Sequence, residues 1–430
     1  MGERSTAGLC REIERALPDR PFAIEFWDGN RVPSTREGGP TLQFRSPRAI
    51  AQVLRSPGQL GLGRAYVLGD IDADDLDGVV ALIGRWEAPR LGAAERARLL
   101  AAALRATGLT RPPAPPAAEL RPQGRLHTRG RDARAVRHHY DVSNEFFALF
   151  LDETMTYSCA LFEDGTETLE DAQRAKLELI CRKLDLEPGQ RLLDVGSGWG
   201  SLGIHAATQH GASVLGITLS EPQARLATER ARDAGVADRV EFRVMDYRDL
   251  GGERFDAIAS IGMVEHVGES RIDEYAALLA AALSPGGRIL NHGIVYIPPT
   301  DGSHLGGEFS RRYVFPDGEL LNLSRMLAAF ERAGLEALHV EDLHLDYAET
   351  LRHWTARFDS RLADAERLGG TERARVWRLY LRAARNAFET GHNAVYQVLC
   401  SQPLSESARS LPTGRTHEPA RRRVPTAVAG

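Results

Sequence analysis

A glycine-rich turn is the first segment of this chain whose residue types and spacing could bind a ligand. It reads LLDVGSGWG over residues 192–200, with Asp194 at the end of an apolar run and glycines at alternate positions after it, Gly196, Gly198 and Gly200. Glycines allow a tight turn and let a ligand contact the backbone. A dinucleotide-binding turn would read G-x-G-x-x-G, with an acid closing the second strand. Here the spacing is G-x-G-x-G and the second strand ends in Thr218-Leu219-Ser220, so several nucleotide-type ligands, or a turn that binds nothing, fit the pattern.

Cysteine is rare, and one cysteine lies just over thirty residues before that turn. The four are Cys10, Cys159, Cys181 and Cys400. They form no C-x-x-C pair and no His–Cys spacing typical of zinc sites, so neither a disulfide framework nor a structural metal is predicted. Taken alone, Cys159 in TMTYSCALF could be a nucleophile, a metal ligand or half of a disulfide. Cys400 ends AVYQVLC, an alternating pattern that favours an edge strand, and is predicted to belong to the core.

The elements around the turn alternate regularly from about residue 190. Predicted strands are RLLDVGS, SVLGITLS, VEFRVMD, FDAIASIG and GGRILNHGIV; predicted helices begin at Trp199 and cover EPQARLATERARDAG and DEYAALLAAAL. Apolar strands that alternate with amphipathic helices indicate an α/β, Rossmann-like domain with a mostly parallel sheet and helices on both faces. A helix around 320–333 and long helices across 346–390 follow. Strands at 336–344 and 394–402 are expected to form a hairpin-like edge on that sheet.

The rest of the chain suggests a second, smaller domain. Residues 1–110 read as an α+β module, with strands FAIEFWDG and TLQFRS and helices RAIAQVLRS, DDLDGVVALIGRW and AAERARLLAAALRAT. The proline-rich RPPAPPAAELRPQG favours a linker, placed at 111–135, before a domain over 136–404. Residues 405–430 lack periodic apolar spacing and are predicted to be disordered.

Charge and hydropathy predict the cellular location of the protein and its possible partners. The N-terminus has no signal-peptide pattern, and no apolar run approaches the roughly twenty residues of a membrane span, so a cytoplasmic protein is expected. The net charge is −5, yet residues 95–140 hold ten arginines against three acids. Such a segment could meet nucleic acid, an anionic lipid surface, or only water.

Five segments, in order, carry a family resemblance. They are HHYDVSNEFFALFLDETMTYSCALFEDGTETLEDAQRAKLELI, LLDVGSGWG, GITLSEPQ, SIGMVEHVG and DYAETLRHW, and they run from about His138 to Cys400. They resemble the cyclopropane-fatty-acyl-phospholipid synthase family, which includes mycolic acid cyclopropane synthases and actinobacterial methyltransferases that make methylene-branched acyl chains. GLGRAYVLGDIDADDL (61–76) resembles the N-terminal domain of longer bacterial members. The resemblance implies a class I methyltransferase domain with a seven-stranded sheet, and a lipid-binding or dimerisation role for residues 1–110.

The family depends on S-adenosylmethionine, whose sulfonium carries a positive charge and a transferable methyl group. The resemblance implies a motif acid at Asp194, backbone contact at the glycines, and a glutamine near ribose and adenine at Gln223. The mycolic acid enzymes have a Trp-Glu pair where this chain has Asp246-Tyr247, the position that flanks adenine. The full set of implied cofactor contacts is Tyr157, Ser158, Asp194, Gly196, Gly198, Gly200, Thr218, Ser220, Gln223, Asp246 and Tyr247.

The resemblance also implies that a bound bicarbonate ion acts as the base, held by Cys159, Glu265, His292, Ile294 and Tyr347. Hydroxyl, imidazole and backbone N–H groups can donate to an anion, and Glu265 can accept from the O–H of bicarbonate. From the residues alone, His292, Tyr347 and Ile294 could equally be core residues, and Glu265 could lie in an exposed loop. Because a thiolate near an acyl cation would be alkylated, Cys159 is interpreted as a neutral cysteine that helps to seat the base.

The expected reaction transfers a methyl or methylene group to the cis double bond of an unsaturated phospholipid acyl chain, with a cyclopropane ring as product. A methylene-branched chain is the alternative; a small-molecule methyltransferase and a non-catalytic lipid-binding protein are the competing classes. FFALFL (146–151) and Tyr313-Val314-Phe315 could line an acyl tunnel or be ordinary core. The arginine excess then favours peripheral binding to the anionic inner membrane face. No nucleic acid partner is expected, and a homodimer is allowed.

Overall fold

The computed structural model describes residues 5–83, 85–108, 114–120, 128–132, 134, 143–298 and 307–403. Contacts divide the chain into two compact units. The small-sheet unit contains residues 1–123, 299–316 and 355–390; the large-sheet unit contains residues 124–298, 317–354 and 391–430. The predicted disordered tail, and the HHYDV start of the first family segment, lie outside the described residues.

The small-sheet unit is α+β, as predicted. Its strands are β1 (Ala23–Phe26), β2 (Arg31–Val32), β3 (Thr41–Phe44) and β4 (Ile71–Ala73), in the order β2-β1-β3-β4. Its first helices are α1 (Ala7–Ala16), α2 (Pro47–Arg55), α3 (Gln59–Val67), α4 (Leu76–Ala81) and α5 (Ala93–Thr107). The helix predicted over DDLDGVVALIGRW is therefore shorter than expected. Helix α2 begins at a Ser46 cap followed by Pro47, a residue pair that favours a helix start because proline's fixed φ and missing N–H suit the first turn.

Later parts of the chain also pack in the small-sheet unit. They include α12 (Glu308–Tyr313), α15 (Leu362–Gly369) and α16 (Thr371–Glu389). In α16, Arg375 donates to the carbonyl oxygens of Tyr66 and Ile71, at 2.6 and 2.9 Å, and Arg382 pairs with Asp77 at 3.0 Å. Contacts therefore group residues 355–390 with the N-terminal region, while the domain limits drawn from the sequence remain a prediction.

A buried ion pair ties down part of the predicted linker. Glu119 accepts from Arg64 at 2.6 Å, with side chains 1% and 8% exposed, and also accepts from the Tyr313 hydroxyl at 3.1 Å. The guanidinium compensates the burial of the carboxylate, and the pKa of Glu119 lies below its usual value despite that burial. Residues 114–120 therefore pack within the small-sheet unit.

The large-sheet unit has the seven-stranded, mostly parallel sheet that the sequence predicted. Its strands are β5 (Arg191–Val195), β6 (Ser213–Thr218), β7 (Val240–Val244), β8 (Phe255–Ile261), β9 (Leu283–Tyr296), β10 (Glu336–Asp342) and β11 (Asn393–Ser401). Their order is β10-β11-β9-β8-β5-β6-β7. The chain winds outward from β5 to β7 and then returns to β8 on the other side of β5. In open α/β sheets, ligands bind at the carboxyl ends of the strands where the winding direction reverses, here between β5 and β8.

Helices cover this sheet. They are α6 (Asn144–Phe147), α7 (Leu169–Leu184), α8 (Ser201–His210), α9 (Glu221–Asp233), α10 (Val264–Val267), α11 (Ile272–Ala282), α13 (Leu323–Arg332) and α14 (His344–Ser360). The division between the units falls inside α14, after Trp354. One buried cluster contains apolar residues of α11 and α13, and another contains residues of α7 and α8.

The predicted antiparallel edge is confirmed. Strand β11 pairs antiparallel with both β9 and β10, so β10 is the outermost strand. Cys400 of β11 is 1% exposed within the core cluster that includes α11 and α13, as predicted from its alternating pattern. Among the described residues, no helix has the length and apolar content needed to cross a bilayer.

Candidate active site

A cavity of about 140 Å³ lies in the large-sheet unit, where the chain leaves β5, β6 and β8. Nine of the eleven predicted cofactor residues line it: Tyr157, Ser158, Asp194, Gly196, Gly198, Thr218, Gln223, Asp246 and Tyr247. The structure therefore brings together residues that are spread over ninety positions of the sequence. Gly200 and Ser220 are not among the lining residues.

Backbone hydrogen bonds fix the conformation of the glycine turn. The N–H groups of Gly196 and Ser197 both donate to the Ile217 carbonyl at 2.9 Å, which fixes the turn against β6. Gly196 has φ of 78°, and a Cβ there would lie 2.6 Å from the Met263 side chain. Any larger residue at this position would therefore clash with Met263 in the cavity wall and would hold the backbone in a strained conformation.

Gly200 has a packing role. Its φ is 83°, and a Cβ would lie 2.6 Å from the Phe242 ring and 3.0 Å from the Ala227 side chain. Gly216 in β6 leaves room for the same ring, since a Cβ there would lie 2.5 Å from it. The last glycine of the motif, Gly200, thus leaves room for Phe242 beneath the turn. The contact of Gly200 with the cofactor remains a prediction.

A buried lysine, which sequence reasoning missed, lies in the cavity wall. Lys176 is 1% exposed and donates to the Ser158 hydroxyl at 2.9 Å. Burial lowers the pKa of Lys176 to about 8, and burial raises the pKa of Asp194 to about 7. The charge of Lys176 acts to lower the pKa of Asp194, while Asp152 and, less strongly, Asp194 act to raise the pKa of Lys176. The signal was present in the sequence, because Lys176 interrupts the apolar stripe that Leu169, Ala172 and Ile180 form on α7.

The loop after β6 is organised around Gln223. The Thr218 hydroxyl donates to the Gln223 side-chain carbonyl at 2.7 Å and accepts from the Ser220 N–H at 3.2 Å. Ser220 is fully buried and caps α9 by accepting from the Gln223 N–H. Ser220 therefore shapes the loop that presents Gln223, and its own cofactor contact remains a prediction.

An arginine fixes Asp246, which with Tyr247 is predicted to flank adenine. Arg248 donates to both carboxylate oxygens of Asp246, at 2.8 and 2.6 Å, and lies 3.1 Å from the carboxylate of Asp132. These contacts hold the pKa of Asp246 below its ordinary value although burial acts to raise it. Tyr247 packs edge-on against Tyr275, with ring centroids 5.1 Å apart. Asp246 therefore needs no ligand to compensate its charge.

Two of the predicted base-binding residues touch directly. Glu265 lies in α10, just after β8, and accepts from the Ile294 N–H at 2.6 Å. Its second oxygen, Oε2, is buried and has no hydrogen-bond partner among the described residues. Burial raises the pKa of Glu265 to about 7, even though the Ile294 N–H acts to lower it. The carboxyl group therefore has an unused acceptor, which is costly unless a ligand satisfies it.

His292 lies two residues before Ile294 on β9, hence on the same face of the sheet. Burial lowers its pKa to about 3, so the ring is neutral, and Gln397 lies 3.3 Å from Nδ1. If the amide of Gln397 donates to Nδ1, the proton of the neutral ring is on Nε2. Nε2 is buried without a partner among the described residues. In that tautomer, His292 offers a hydrogen-bond donor, whereas Glu265 offers an acceptor.

Cys159 and Tyr347 meet at one carbonyl. The Leu343 carbonyl accepts from the Tyr347 N–H at 3.0 Å and lies 3.5 Å from Cys159 Sγ; the Ala160 carbonyl is 3.1 Å from the same sulfur. The Leu343 N–H donates to Val395, which is paired with Ile294 across β11 and β9. The backbone therefore connects the Cys159 segment to the strand that contacts Glu265. None of the five predicted base-binding residues lines the 140 Å³ cavity.

An aromatic cluster lies between the two groups of predicted residues. Tyr157, which lines the cavity, stacks on Trp354 with ring centroids 5.2 Å apart, and Tyr347 meets Trp354 edge-on at 6.0 Å. Phe147 and Phe150 of FFALFL are fully buried in this cluster. Trp354, the last residue of DYAETLRHW, was not among the site residues predicted from the sequence. Its aromatic faces are compatible with a cationic intermediate.

Comparison with known proteins assigns the family. The family described as mycolic acid cyclopropane synthetase matches residues 127–398. A probable fatty acid methyltransferase of Pseudomonas putida is 39% identical over 399 residues, which cover 92% of this chain and 95% of that protein. The chain belongs to this family. It is an S-adenosylmethionine-dependent methyltransferase.

Other relatives cover different shares of this methyltransferase. The cyclopropane-fatty-acyl-phospholipid synthase of Escherichia coli is 35% identical over 64% of this chain and 69% of its own length. The cyclopropane synthase MmaA2 from Mycobacterium tuberculosis has a TM-score of 0.61, with 31% identity over 63% of this chain and 98% of that one. Mycolic acid cyclopropane synthase CmaA1, complexed with SAH and CTAB, has a TM-score of 0.60, with 32% identity over the same shares. These similarities support the dependence on S-adenosylmethionine.

The buried Lys176–Asp194 arrangement predicts how cofactor affinity depends on pH. If ionised Asp194 favours the positively charged cofactor, affinity should be full above the raised pKa of about 7 and fall by up to about tenfold per pH unit below it. Lys176→Met removes the charge that holds this pKa down, so the loss should begin at higher pH. Calorimetric titration with S-adenosylmethionine between pH 6 and 8.5 measures both profiles.

Asp194→Asn is the matched control, because it keeps the shape but cannot ionise. Its profile should retain only the titration of the cofactor and of other groups. Identical midpoints for wild type and Lys176→Met, or a wild-type profile that matches Asp194→Asn, would contradict the prediction.

Proposed function

We propose that this enzyme methylates the cis double bond of an unsaturated phospholipid acyl chain and closes a cyclopropane ring. The observation that carries the proposal is a pair of buried polar atoms, Glu265 Oε2 and His292 Nε2, which have no hydrogen-bond partner among the described residues. Methyl transfer to a nitrogen or oxygen loses its proton from that atom, beside the transferred methyl group. A reaction that ends in the loss of a proton from carbon needs a base there.

The chain's own residues suit an alkene substrate. A double bond is a weak nucleophile, so it must be aligned with the methyl group while water is excluded from the cation that forms. Bound S-adenosylmethionine supplies that methyl group on a positively charged sulfur. The stacked pair Tyr157 and Trp354 presents aromatic faces, which stabilise positive charge without forming bonds to it.

Bicarbonate fits the donor and acceptor groups of the candidate base site. It carries a negative oxygen that could accept from His292 Nε2 and an O–H that could donate to Glu265 Oε2. The pKa of Glu265 is about 7, so just above neutral pH its carboxylate is an ionised acceptor. The pKa of His292 is about 3, so its ring is a neutral donor at the same pH. Cys159 and Tyr347 would complete the pocket from the Leu343 side, and the ion would supply a proton acceptor.

Glu265→Gln tests this assignment. The amide keeps an oxygen for the Ile294 N–H but places an NH2 donor where Oε2 would accept from the ion. Loss of a hydrogen bond to a charged group, about 1.5–3 kcal/mol, should slow turnover by about 10- to 150-fold. The bicarbonate concentration for half-maximal activity should rise, and the Kd for S-adenosylmethionine should stay within about twofold.

Glu269→Gln is the matched control, since Glu269 is 60% exposed and pairs with Arg325 on the surface. It should leave both constants unchanged. Equal losses of cofactor affinity and turnover in Glu265→Gln, or an unchanged bicarbonate requirement, would contradict the proposed role.

A methylene-branched product is the second candidate, and one observation favours it. The relatives that match 92–93% of this chain are named fatty acid methyltransferases, including a tuberculostearic acid methyltransferase of M. tuberculosis that is 32% identical. The two products share the first cation. Loss of a methyl proton with ring closure gives the cyclopropane, whereas a hydride shift before that loss gives the methylene branch.

Product analysis separates the two. Purified enzyme, S-adenosylmethionine and vesicles of an unsaturated phospholipid should yield acyl chains heavier by one CH2, detected by mass spectrometry. Both candidates have this mass, but mild hydrogenation adds H2 only to a methylene-branched chain and leaves the cyclopropane intact. The expected chain resists hydrogenation and co-elutes with a cyclopropane standard. A hydroxylated or unchanged acyl pool would contradict both candidates.

The membrane contact is proposed to involve α5. Leu100 and Leu104, four residues apart, are 46% and 37% exposed, and Arg96 and Arg105 of the same helix are also exposed, whereas Arg98 pairs with Glu12 at 3.3 Å. Exposed leucines beside arginines suit the surface of an anionic membrane. Other arginines of the basic segment are paired within the chain: Arg131 with Asp317 at 2.5 Å and Arg129 with Asp249 at 2.8 Å. Among the described residues, the charge proposed to face lipid therefore leaves out Arg129 and Arg131.

Vesicle binding tests this surface. Leu100→Glu combined with Leu104→Glu should weaken binding to vesicles containing phosphatidylglycerol by about tenfold or more, because apolar contact is lost and negative charge is added. Sedimentation with the vesicles measures the bound fraction, which should also fall as salt increases. Leu338→Glu with Leu345→Glu, two other exposed leucines, is the control. Equal binding by both double variants would contradict a specific role for α5.

A further inference from the structure

A cluster of four metal-ligating side chains lies outside the cavity and the candidate base site. It consists of Glu178 and Cys181 on α7 and His205 and His210 on α8. The Cys181 sulfur and one ring nitrogen from each histidine lie within 4.8 Å of one another. We propose that Glu178, Cys181, His205 and His210 form a zinc site that joins α7 to α8.

The geometry is close to what zinc requires. With zinc–nitrogen and zinc–sulfur distances of about 2.0–2.3 Å, neighbouring ligand atoms of a tetrahedral site lie roughly 3.3–3.7 Å apart. The observed limit of 4.8 Å exceeds this by about 1 Å, which side-chain rotation can remove. Glu178 and Cys181 are three residues apart on α7, so they face the same way.

The histidines already converge on one point. Nε2 of His205 lies 3.2 Å from Glu178 Oε2, and Nε2 of His210 lies 3.0 Å from the same oxygen. Two rings that share one carboxylate oxygen form the arrangement that a cation would hold together.

The ligand set selects zinc. One thiolate, two imidazoles and one carboxylate combine soft and borderline ligands, which suit a four-coordinate zinc ion better than calcium or magnesium. Cys181 is fully buried, whereas the side chains of His205, His210 and Glu178 are 16%, 17% and 38% exposed. The ion would enter from the histidine side and displace the thiol proton. Arg182 lies 3.8 Å from the other oxygen of Glu178 and leaves Oε2 available.

The location gives the site a consequence for the enzyme. Lys176, Leu177 and Ile180 of α7 line the cofactor cavity, as do Ser201 and Leu202 of α8. Zinc would link these two helices through side chains that do not themselves line the cavity. It would act as a structural clamp that stabilises the large-sheet unit, with no part in methyl transfer.

Cobalt substitution tests the coordination directly. Full-length protein, with any affinity tag removed, is stripped with a chelator under a non-thiol reductant and titrated with Co²⁺ and then Zn²⁺. We expect one equivalent of cobalt, a thiolate-to-cobalt charge-transfer band, intense visible bands typical of four-coordinate cobalt, and displacement by zinc. Zinc should also raise the Tm of the stripped protein.

Two ligand variants and two controls make the result specific. Cys181→Ala should abolish the charge-transfer band, and His205→Gln should weaken zinc binding by at least about tenfold. Cys10→Ala, another buried thiol, and His344→Gln, a histidine outside the cluster, should leave both unchanged. If wild-type protein lacks the band, or binds zinc no more tightly than the two ligand variants, the proposal is wrong.

Discussion

The burial of two opposite charges, Lys176 and Asp194, is the constraint on which the cofactor site depends. Removing a lone charge from water costs several kcal/mol, so Asp194 requires Lys176 or a ligand nearby, and Lys176 is compensated by Asp152 as well as by Asp194. Asp194 ends the central strand β5, and Lys176 lies on the buried face of α7. Ser158, which accepts from Lys176, belongs to a third segment. The position of α7 on the sheet, and the course of the chain at Ser158, are therefore coupled to the end of β5.

The chemistry around this pair depends on keeping other groups unreactive. In the proposed reaction, a carbocation on the acyl chain would alkylate a free thiolate or carboxylate, so such groups must be engaged or neutral. Asp246 is held by Arg248, and Cys159 lies within hydrogen-bond distance of two carbonyl oxygens. Burial raises the pKa of the Cys400 thiol to about 12. The aromatic rings of Tyr157 and Trp354 then provide surfaces that can lie near positive charge without reacting.

The sequence predicted the large sheet well because each β-α repeat has its own apolar periodicity. It did not predict that residues 355–390 would group with the N-terminal region. An amphipathic pattern shows that a helix buries one face, but it does not identify what that face contacts. Arg375 of α16 contacts the carbonyl oxygens of Tyr66 and Ile71, and Arg382 contacts the carboxylate of Asp77. Nothing in the sequence around these partners indicates which arginine they bind.

The candidate site shows the same limit at the level of single residues. Motif spacing located Asp194 and Glu265, but it could not tell that Gly196 borders the cavity while Gly200 makes room for Phe242. Cys159 and Leu343 are 184 positions apart, and their contact depends on the start of α14, which the Leu343 N–H anchors to β11. A motif marks a position whose residue type matters. Whether a ligand or a neighbouring side chain imposes that requirement depends on packing, and for Gly200 the neighbour is sufficient.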